Sequence, residues 1–275
     1  MKNRKFFESN LKRWNELVDI NIISDWYDLE GFLEGKSSLL PIEIKELGDI
    51  KGKSLLHLQC HFGMDTLSWA RMGAIVTGVD FSDKAIKLAK ELSKELKIPA
   101  KFIQSNVYDI PRIVQEHYDI VFTSYGVLCW LPNLVKWAKI IDYCLIPGGT
   151  FYIIEGHPFG TLIDANFSEG FRVGFDYFTE GKPTQWEEDG TYADFNAKLK
   201  HKTNFQWDHT MGDILNALLN ANLEIEFLHE FPFTFHNIHP DLKRREDGYW
   251  EFQSLKFSVP MMFSIKANKK IQKKD

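Results

Sequence analysis

"LLHLQCHFGMD", Leu55 to Asp65, is the stretch on which the fold turns. Its first residues make a short apolar run of the kind that fills a buried strand. Gly63 then opens a loop, and "DTLSWARMG" follows as a helix closed by Gly73 at its C′ position. Strand, glycine-containing loop and helix make a nucleotide-binding unit. This loop holds a single glycine, however, where a pyrophosphate loop normally holds three. It also carries His57, Cys60 and His61, which raises the question of a metal. Zinc would need a second ligand pair at fitting spacing, and Cys129 and Cys144 each stand alone. His57 alternates with Leu56 and Leu58 on the strand, so it reads as a core histidine. We therefore expect no metal.

Outward from this unit the alternation continues. "AIVTGVD" is a second strand, and "SDKAIKLAKELSKEL" is an amphipathic helix with Ser82 as N-cap. "AKFIQSN" and "YDIVFTSYG" are the third and fourth strands. "NLVKWAKIIDYCL" is a helix, and after an "IPGG" turn "TFYIIE" is the fifth strand. Strands alternating with helices predict an α/β, doubly wound, mostly parallel sheet with helices on both faces. "LEIEFLHEF" and "VPMMFSIKAN" complete seven strands, the last antiparallel, with "TMGDILNALLNAN" as a helix before them.

Four regions follow. Residues 1–50 form an N-terminal helical cap, with a second helical piece over 38–47. Residues 51–155 form the ligand-binding core. Residues 156–208 are an inserted antiparallel segment covering a substrate. Residues 209–275 return to the core sheet, with an excursion at 232–257. Aromatic residues, 14% of the chain, concentrate after Phe151. "FRVGFDYF" and "HKTNFQW" in the insertion would then offer aromatics to a small, partly apolar ligand. Exposed edges of the insertion could also pair with a second subunit as a homodimer.

Composition narrows the function. The 275 residues are 44% hydrophobic and 26% charged, with net charge −5, which gives no electrostatic case for a nucleic-acid binder. The basic stretch Lys266 to Lys274 reads as a solvated tail. No apolar run is long enough to span a bilayer, and no signal peptide is visible. Three cysteines in apolar surroundings suit a reducing, cytoplasmic setting.

Ligands in such a sheet sit beyond the C-terminal ends of the strands. Asp80 ends the second strand, 17 residues past Gly63, where a carboxylate can accept both hydroxyls of a ribose. With Gln59 and His61 in place of glycines, the first loop suits a nucleoside whose tail is not a pyrophosphate.

In order, "LLHLQCHFGMDTLSWA", "VTGVDFS", "QSNVYDIP", "YDIVFTSYGVLCWLP" and "LIPGGTFYIIE" resemble the motifs of class I S-adenosylmethionine-dependent methyltransferases. "LHLQCHFG" is similar to an uncharacterised bacterial subgroup. The resemblance covers residues 50–155 closely and the remainder loosely. It implies that S-adenosylmethionine is the cofactor and a small molecule the methyl acceptor. The backbone around Gln59, His61 and Gly63 would face the methionine part. Asp80 would bind the ribose, Phe81 would pack on the adenine, and Asn106 would accept from its amino group with Val107 beside the ring. Ser124 and Tyr125 would lie near the methionine amine and the methyl group. The family often has an acidic residue at 57, glycine at 59 and 61, and aspartate at 106; this chain departs at all four.

Methyl transfer from a sulfonium is an in-line displacement that depends mainly on placement. Where the acceptor is protonated, a base is needed; His157 and Glu155 past the fifth strand, and His209 before a helix, are the candidates, with Tyr125 at the reacting end. Tyr27, Tyr125 and Trp130 could cradle the sulfonium through cation–π contact, Trp26 lies beside them, and His236 and His239 in the excursion could add to the pocket. Two other readings remain open. One is a dehydrogenase of the NAD type, which would want glycine at 59 and 61. The other is a non-catalytic protein that binds the cofactor alone.

Overall fold

The computed structural model describes residues 3–164, 172–179 and 181–271. Phe171 of "FRVGFDYF", and Lys273 and Lys274 of the basic tail, lie outside them. In chain order the elements are α1 (Arg4–Asn21), α2 (Leu29–Leu33), α3 (Pro41–Leu47), β1 (Ser54–Leu58), α4 (Met64–Arg71), β2 (Ile75–Asp80), α5 (Asp83–Glu95), β3 (Lys101–Gln104), α6 (Ile110–Ile113), β4 (Tyr118–Ser124), α7 (Leu134–Cys144) and β5 (Leu145–Gly156). Then come β6 (Thr184–Glu187), β7 (Thr203–Gln206), α8 (Met211–Leu219), β8 (Leu223–Phe231), β9 (Leu242–Arg244), β10 (Trp250–Phe252) and β11 (Met262–Lys269).

Seven strands form one sheet in the order β3-β2-β1-β4-β5-β11-β8. The first five pair in parallel, and β11 runs antiparallel between β5 and β8. The order steps outward from β1 in both directions, which leaves a crevice beyond the ends of β1 and β4. Side chains alternate between two cores, as the two-residue strand period requires. Leu56, Val121, Phe151 and Ile153 pack with α7 and α8 on one face. Leu55, Ile120, Phe122, Tyr152 and Ile154 pack with Trp69 of α4 and with Leu47 of α3 on the other. α5 buries Ala85, Ile86, Ala89 and Leu92, the helix-spaced stripe visible in its sequence. Ser82 caps it by accepting from the Ala85 N–H at 3.0 Å.

Three expectations change. "IPGG" is no turn before the fifth strand: β5 starts at Leu145 and absorbs those residues where its register with β4 shifts between Tyr118 and Ile120. The insertion is less regular than predicted; its paired strands, β6 and β7, make one short hairpin. Its β7 edge is not open. Asn10 of α1 donates to Phe205 O and accepts from Phe205 N, both at 2.8 Å, and Ser9 Oγ donates to Thr203 O at 2.9 Å. These β7 edge groups are bonded within the chain.

α1 is clamped to the insertion more deeply still. The Arg13 guanidinium, 5% exposed, donates to the carbonyls of Glu188 at 2.9 Å, and of Lys202 and Gly190 at 3.1 Å. Glu16 accepts from the N–H groups of Lys200 and His201 at 2.8 and 2.9 Å. The helical cap and the insertion, distant in sequence, form one layer over the crevice. No helix of the described residues is long and apolar enough to cross a membrane.

Candidate functional site

Leu58 of β1 pairs with Val79 of β2, so the loop after β1 leaves the sheet beside Asp80. That loop has an alternating backbone: φ is +57° at Gln59, +52° at His61 and +80° at Gly63. These are left-handed conformations that disfavour a side chain. All three positions take the glycine-like conformation, although only one is glycine. Gly63 is glycine for packing: a Cβ there would stand 2.7 Å from the Phe102 ring. Its bare face therefore meets β3, and the expected close approach to a ligand is not what fixes it.

Compensating contacts hold the two strained residues. His61 N–H donates to Asp80 Oδ2, and Ser82 N–H to Asp80 Oδ1, both at 2.9 Å. Gln59 Nε2 donates to Val127 O at 3.0 Å. Gln59 Oε1 and His61 Nε2 are buried with no partner among the described residues. Asp80 is 7% exposed, and burial pushes its carboxyl up to about 6 against the pull of its backbone donors. The two oxygens together offer about four acceptor positions, more than these backbone donors fill.

The other predicted positions fall around this loop. Phe81 follows Asp80, half-buried, and its carbonyl accepts from Gln104 Nε2 at 3.0 Å. Asn106 Oδ1 already accepts from Tyr108 N–H at 3.0 Å, capping a short 3₁₀ turn, so only its second lone pair is left for an exocyclic amine. Val107 is buried in the core beside it. Ser124 Oγ donates to Asp65 Oδ2 at 3.3 Å. Tyr125, at φ +35°, donates its hydroxyl to Glu43 Oε2 at 2.8 Å and packs on Phe235 at 4.5 Å.

The histidines separate into two groups. His57 is core: it is buried, and its Nδ1 lies 2.8 Å from Thr66 Oγ1. Burial lowers it to about 3, which keeps it neutral. His157 is held by contacts of its own. Its Nδ1 accepts from Phe159 N–H at 3.0 Å and its Nε2 stands 3.0 Å from Glu230 Oε1, so it organises the turn after β5. His209 Nε2 donates to Leu131 O at 2.7 Å and ties the end of the insertion to the loop after β4. His239 is buried in the excursion, where Nδ1 accepts from Asp241 N–H at 3.1 Å. Glu155 accepts from Gly126, Val127 and Leu128 N–H at 2.5–3.2 Å and shapes the loop after β4.

His61 and His236 join an aromatic enclosure instead. The Tyr27 hydroxyl lies 3.1 Å from His61 Nδ1 and bonds the Tyr192 hydroxyl. Trp14 meets the His61 ring at 5.3 Å and Trp130 at 5.4 Å, edge to face. Trp26 and Tyr192 each meet His236 at 6.3 Å. Burial lowers His61 to about 3 and His236 to about 4, so both rings are neutral. The insertion's contribution is Tyr192. Phe205 and Trp207, expected at the ligand, pack on Phe6 of α1.

Sequence reasoning missed Trp14, Glu43, Asp65 and Tyr192. Glu43 is fully buried in α3, accepts from Leu40 N–H at 2.6 Å, and is raised to about 8 by burial. Only its place as third residue after a proline-started helix hinted at a capping role. Among the described residues no group of three His, Cys, Asp or Glu could hold a metal ion.

A family model described as "Methyltransferase domain" matches residues 56–153. A ubiquinone biosynthesis O-methyltransferase from Proteus mirabilis is 30% identical over 169 residues, covering 59% of this chain and 66% of that protein. The protein of the same name from Photorhabdus laumondii is 33% identical over 149 residues, covering 53% and 59%. The chain thus spans about three-fifths to two-thirds of the length of these relatives. The solved S-adenosylmethionine dependent methyltransferase from Mesorhizobium loti has TM-score 0.59 at 19% identity, covering 86% of this chain and 99% of that one, a likeness of fold. Residues 56–153 thus match a methyltransferase domain, and the strand order, with a carboxylate at the end of β2, is similar to the fold of S-adenosylmethionine dependent methyltransferases.

Proposed function

We propose that the protein transfers the methyl group of S-adenosylmethionine to a small-molecule acceptor by in-line displacement. One observation carries this reading: the loop of Gln59, His61 and Gly63 holds three left-handed residues against Asp80 at the mouth of the crevice. Such a backbone suits a nucleoside with an amino-acid tail. The unpartnered Gln59 Oε1 and His61 Nε2 add two buried polar atoms that want a ligand group.

In this proposal Asp80 accepts from the ribose hydroxyls with its remaining lone pairs. Phe81 and Val107 flank the adenine, and Asn106 meets its edge. The backbone of Gln59, His61 and Gly63 faces the methionine part, and Ser124 and Tyr125 the reacting end. S-adenosylmethionine supplies an electrophilic methyl on a cationic sulfur. Trp14, Tyr27, Trp130 and Tyr192 exclude water and offer ring faces to positive charge, which is neutralised as the reaction proceeds.

We propose a hydroxyl-bearing acceptor. The names of the ubiquinone O-methyltransferase relatives support it, as does the Tyr125–Glu43 contact at 2.8 Å. Tyr125 would accept a hydrogen bond from the acceptor hydroxyl while its own O–H donates to Glu43, which burial keeps protonated, and the acceptor proton would leave to solvent. Neither His157 nor His209 keeps a free role in this step. The test is calorimetry with S-adenosylhomocysteine, followed by transfer of labelled methyl to a panel of hydroxylated aromatic acceptors. Stabilisation by NAD without binding of S-adenosylhomocysteine would overturn the reading.

A further inference from the structure

The aromatic enclosure closes on itself. Tyr125 meets Phe235 at 4.5 Å, Phe235 meets His236 at 4.2 Å, and His236 meets Tyr192 at 6.3 Å. Tyr192 continues to Tyr27 at 6.3 Å, and Tyr27 to His61 at 5.7 Å. Trp14 and Trp130 follow, and Trp130 Nε1 donates to Gly126 O at 2.8 Å, on the residue next to Tyr125. Among the described residues, no ring contact crosses from Tyr125, Phe235 or His236 to His61, Trp14 or Trp130. The rings are neighbours around a circuit and not across it, so they frame a space, and each of them is half-buried.

Polar atoms without partners mark two places on this frame. Gln59 Oε1, His61 Nε2 and Trp14 Nε1 stand at the cofactor loop and beside it. His236 Nδ1 stands apart from them, beyond Tyr27 and Tyr192. It is buried and has no partner among the described residues. Backbone bonds pin its segment instead: Thr234 N–H donates to Trp250 O at 2.8 Å, and Trp250 N–H to Thr234 O at 2.7 Å. A buried ring nitrogen on a held segment is costly until something bonds it.

Within the proposed function, on which this inference rests, the methyl group lies toward Tyr125. The stretch from Tyr125 past Phe235 to His236 is then left for the acceptor. Its rings are neutral, and the negative charges of Asp65 and Asp80 bear on Tyr27 and Tyr192, which disfavours an anion. A hydroxyl both donates and accepts, so it satisfies Nδ1 in either tautomer of a neutral imidazole. We propose that His236 determines acceptor specificity: its Nδ1 hydrogen-bonds a hydroxyl at the far end of an uncharged, planar acceptor that lies along Phe235, with the group to be methylated at Tyr125. The rival is a water held on Nδ1 with no bearing on the acceptor.

Three phenols separate the two. Para-hydroxybenzyl alcohol carries the distal hydroxyl, para-cresol lacks it, and para-hydroxybenzoate puts an anion there. NMR titration reads their binding to the full chain saturated with S-adenosylhomocysteine. His236→Phe keeps a ring in the frame and removes the nitrogen. It should weaken para-hydroxybenzyl alcohol about fivefold to thirtyfold, the size of one hydrogen bond, and leave para-cresol and S-adenosylhomocysteine within about twofold. In the wild type, para-hydroxybenzoate should bind at least about tenfold more weakly than the alcohol. Equal weakening of the alcohol and para-cresol would assign His236 to packing and overturn the proposal, as would no weakening at all. Para-hydroxybenzoate binding as tightly as the alcohol would also overturn it. If the wild type binds S-adenosylhomocysteine but none of the phenols, this assignment alone fails. If it does not bind S-adenosylhomocysteine, the methyltransferase reading fails as well. Should His236→Phe not fold, His236→Leu carries the same comparison.

Discussion

The main-chain N–H of His61 donates to the Asp80 carboxylate at 2.9 Å, joining the loop after β1 to the end of β2. One carboxylate thus fixes the strained loop and still presents lone pairs to the crevice. Asp80→Ala should weaken S-adenosylhomocysteine by about 1.5–3 kcal/mol, the loss of charge-assisted hydrogen bonds. Calorimetry reads this directly, and unchanged affinity would remove Asp80 from the site.

Gln59 and Gly63 share a left-handed backbone but not its cause. Gln59→Gly relieves strain while giving up the bond to Val127 O, so the net change should stay within about 1 kcal/mol. Gly63→Ala adds strain and drives a Cβ to 2.7 Å from Phe102, and should cost about 2–4 kcal/mol. Chemical denaturation of the two variants checks the contrast; equal stability would refute it.

Burial raises the Glu43 carboxyl to about 8, so the folded chain keeps a proton that the unfolded chain releases near pH 4–5. The stability from this group is complete below the unfolded value and is lost as pH rises towards 8. Glu43→Gln stays neutral throughout. Between pH 5 and 8 the wild type should lose on the order of 3–5 kcal/mol relative to the variant. Asp80 shifts in the same direction but is present in both proteins and cancels. Parallel melting curves across this range would contradict the assignment.

Arg13 joins α1 to the insertion through backbone carbonyls. Arg13→Ala should release this layer at a cost of about 2–4 kcal/mol, since it leaves buried carbonyls unsatisfied. Hydrogen exchange should rise in β6 and β7 and stay slow in β1, β4 and β5. A uniform rise across the sheet would show that the layer is not a separate unit.

His157→Ala is expected to lower stability by about 1–2 kcal/mol through loss of the turn contacts to Phe159 and Glu230, and to leave turnover within about threefold. A hundredfold fall in turnover at unchanged stability would restore the catalytic role that its place after β5 suggested.

The sequence by itself determined the sheet, because strand alternation and helical spacing are local patterns that report burial directly. Leu55 and Leu56 already announce opposite faces, and Asp80 at the end of an apolar strand announces a carboxylate at the crevice. Gln59 and His61 were legible as glycine positions only through the resemblance; their positive φ is a property of the folded loop, held by Asp80 and Val127. Tertiary structure alone decided which remote side chains close the site. Trp14, Glu43, Asp65 and Tyr192 come from separate segments with no shared periodicity, and they meet because α1 and the insertion fold back together. It also gave His157 a partner, Glu230 on β8, that lies far from it in sequence. A histidine's chemistry depends on which of its nitrogens is already bonded, and that is fixed by neighbours in space.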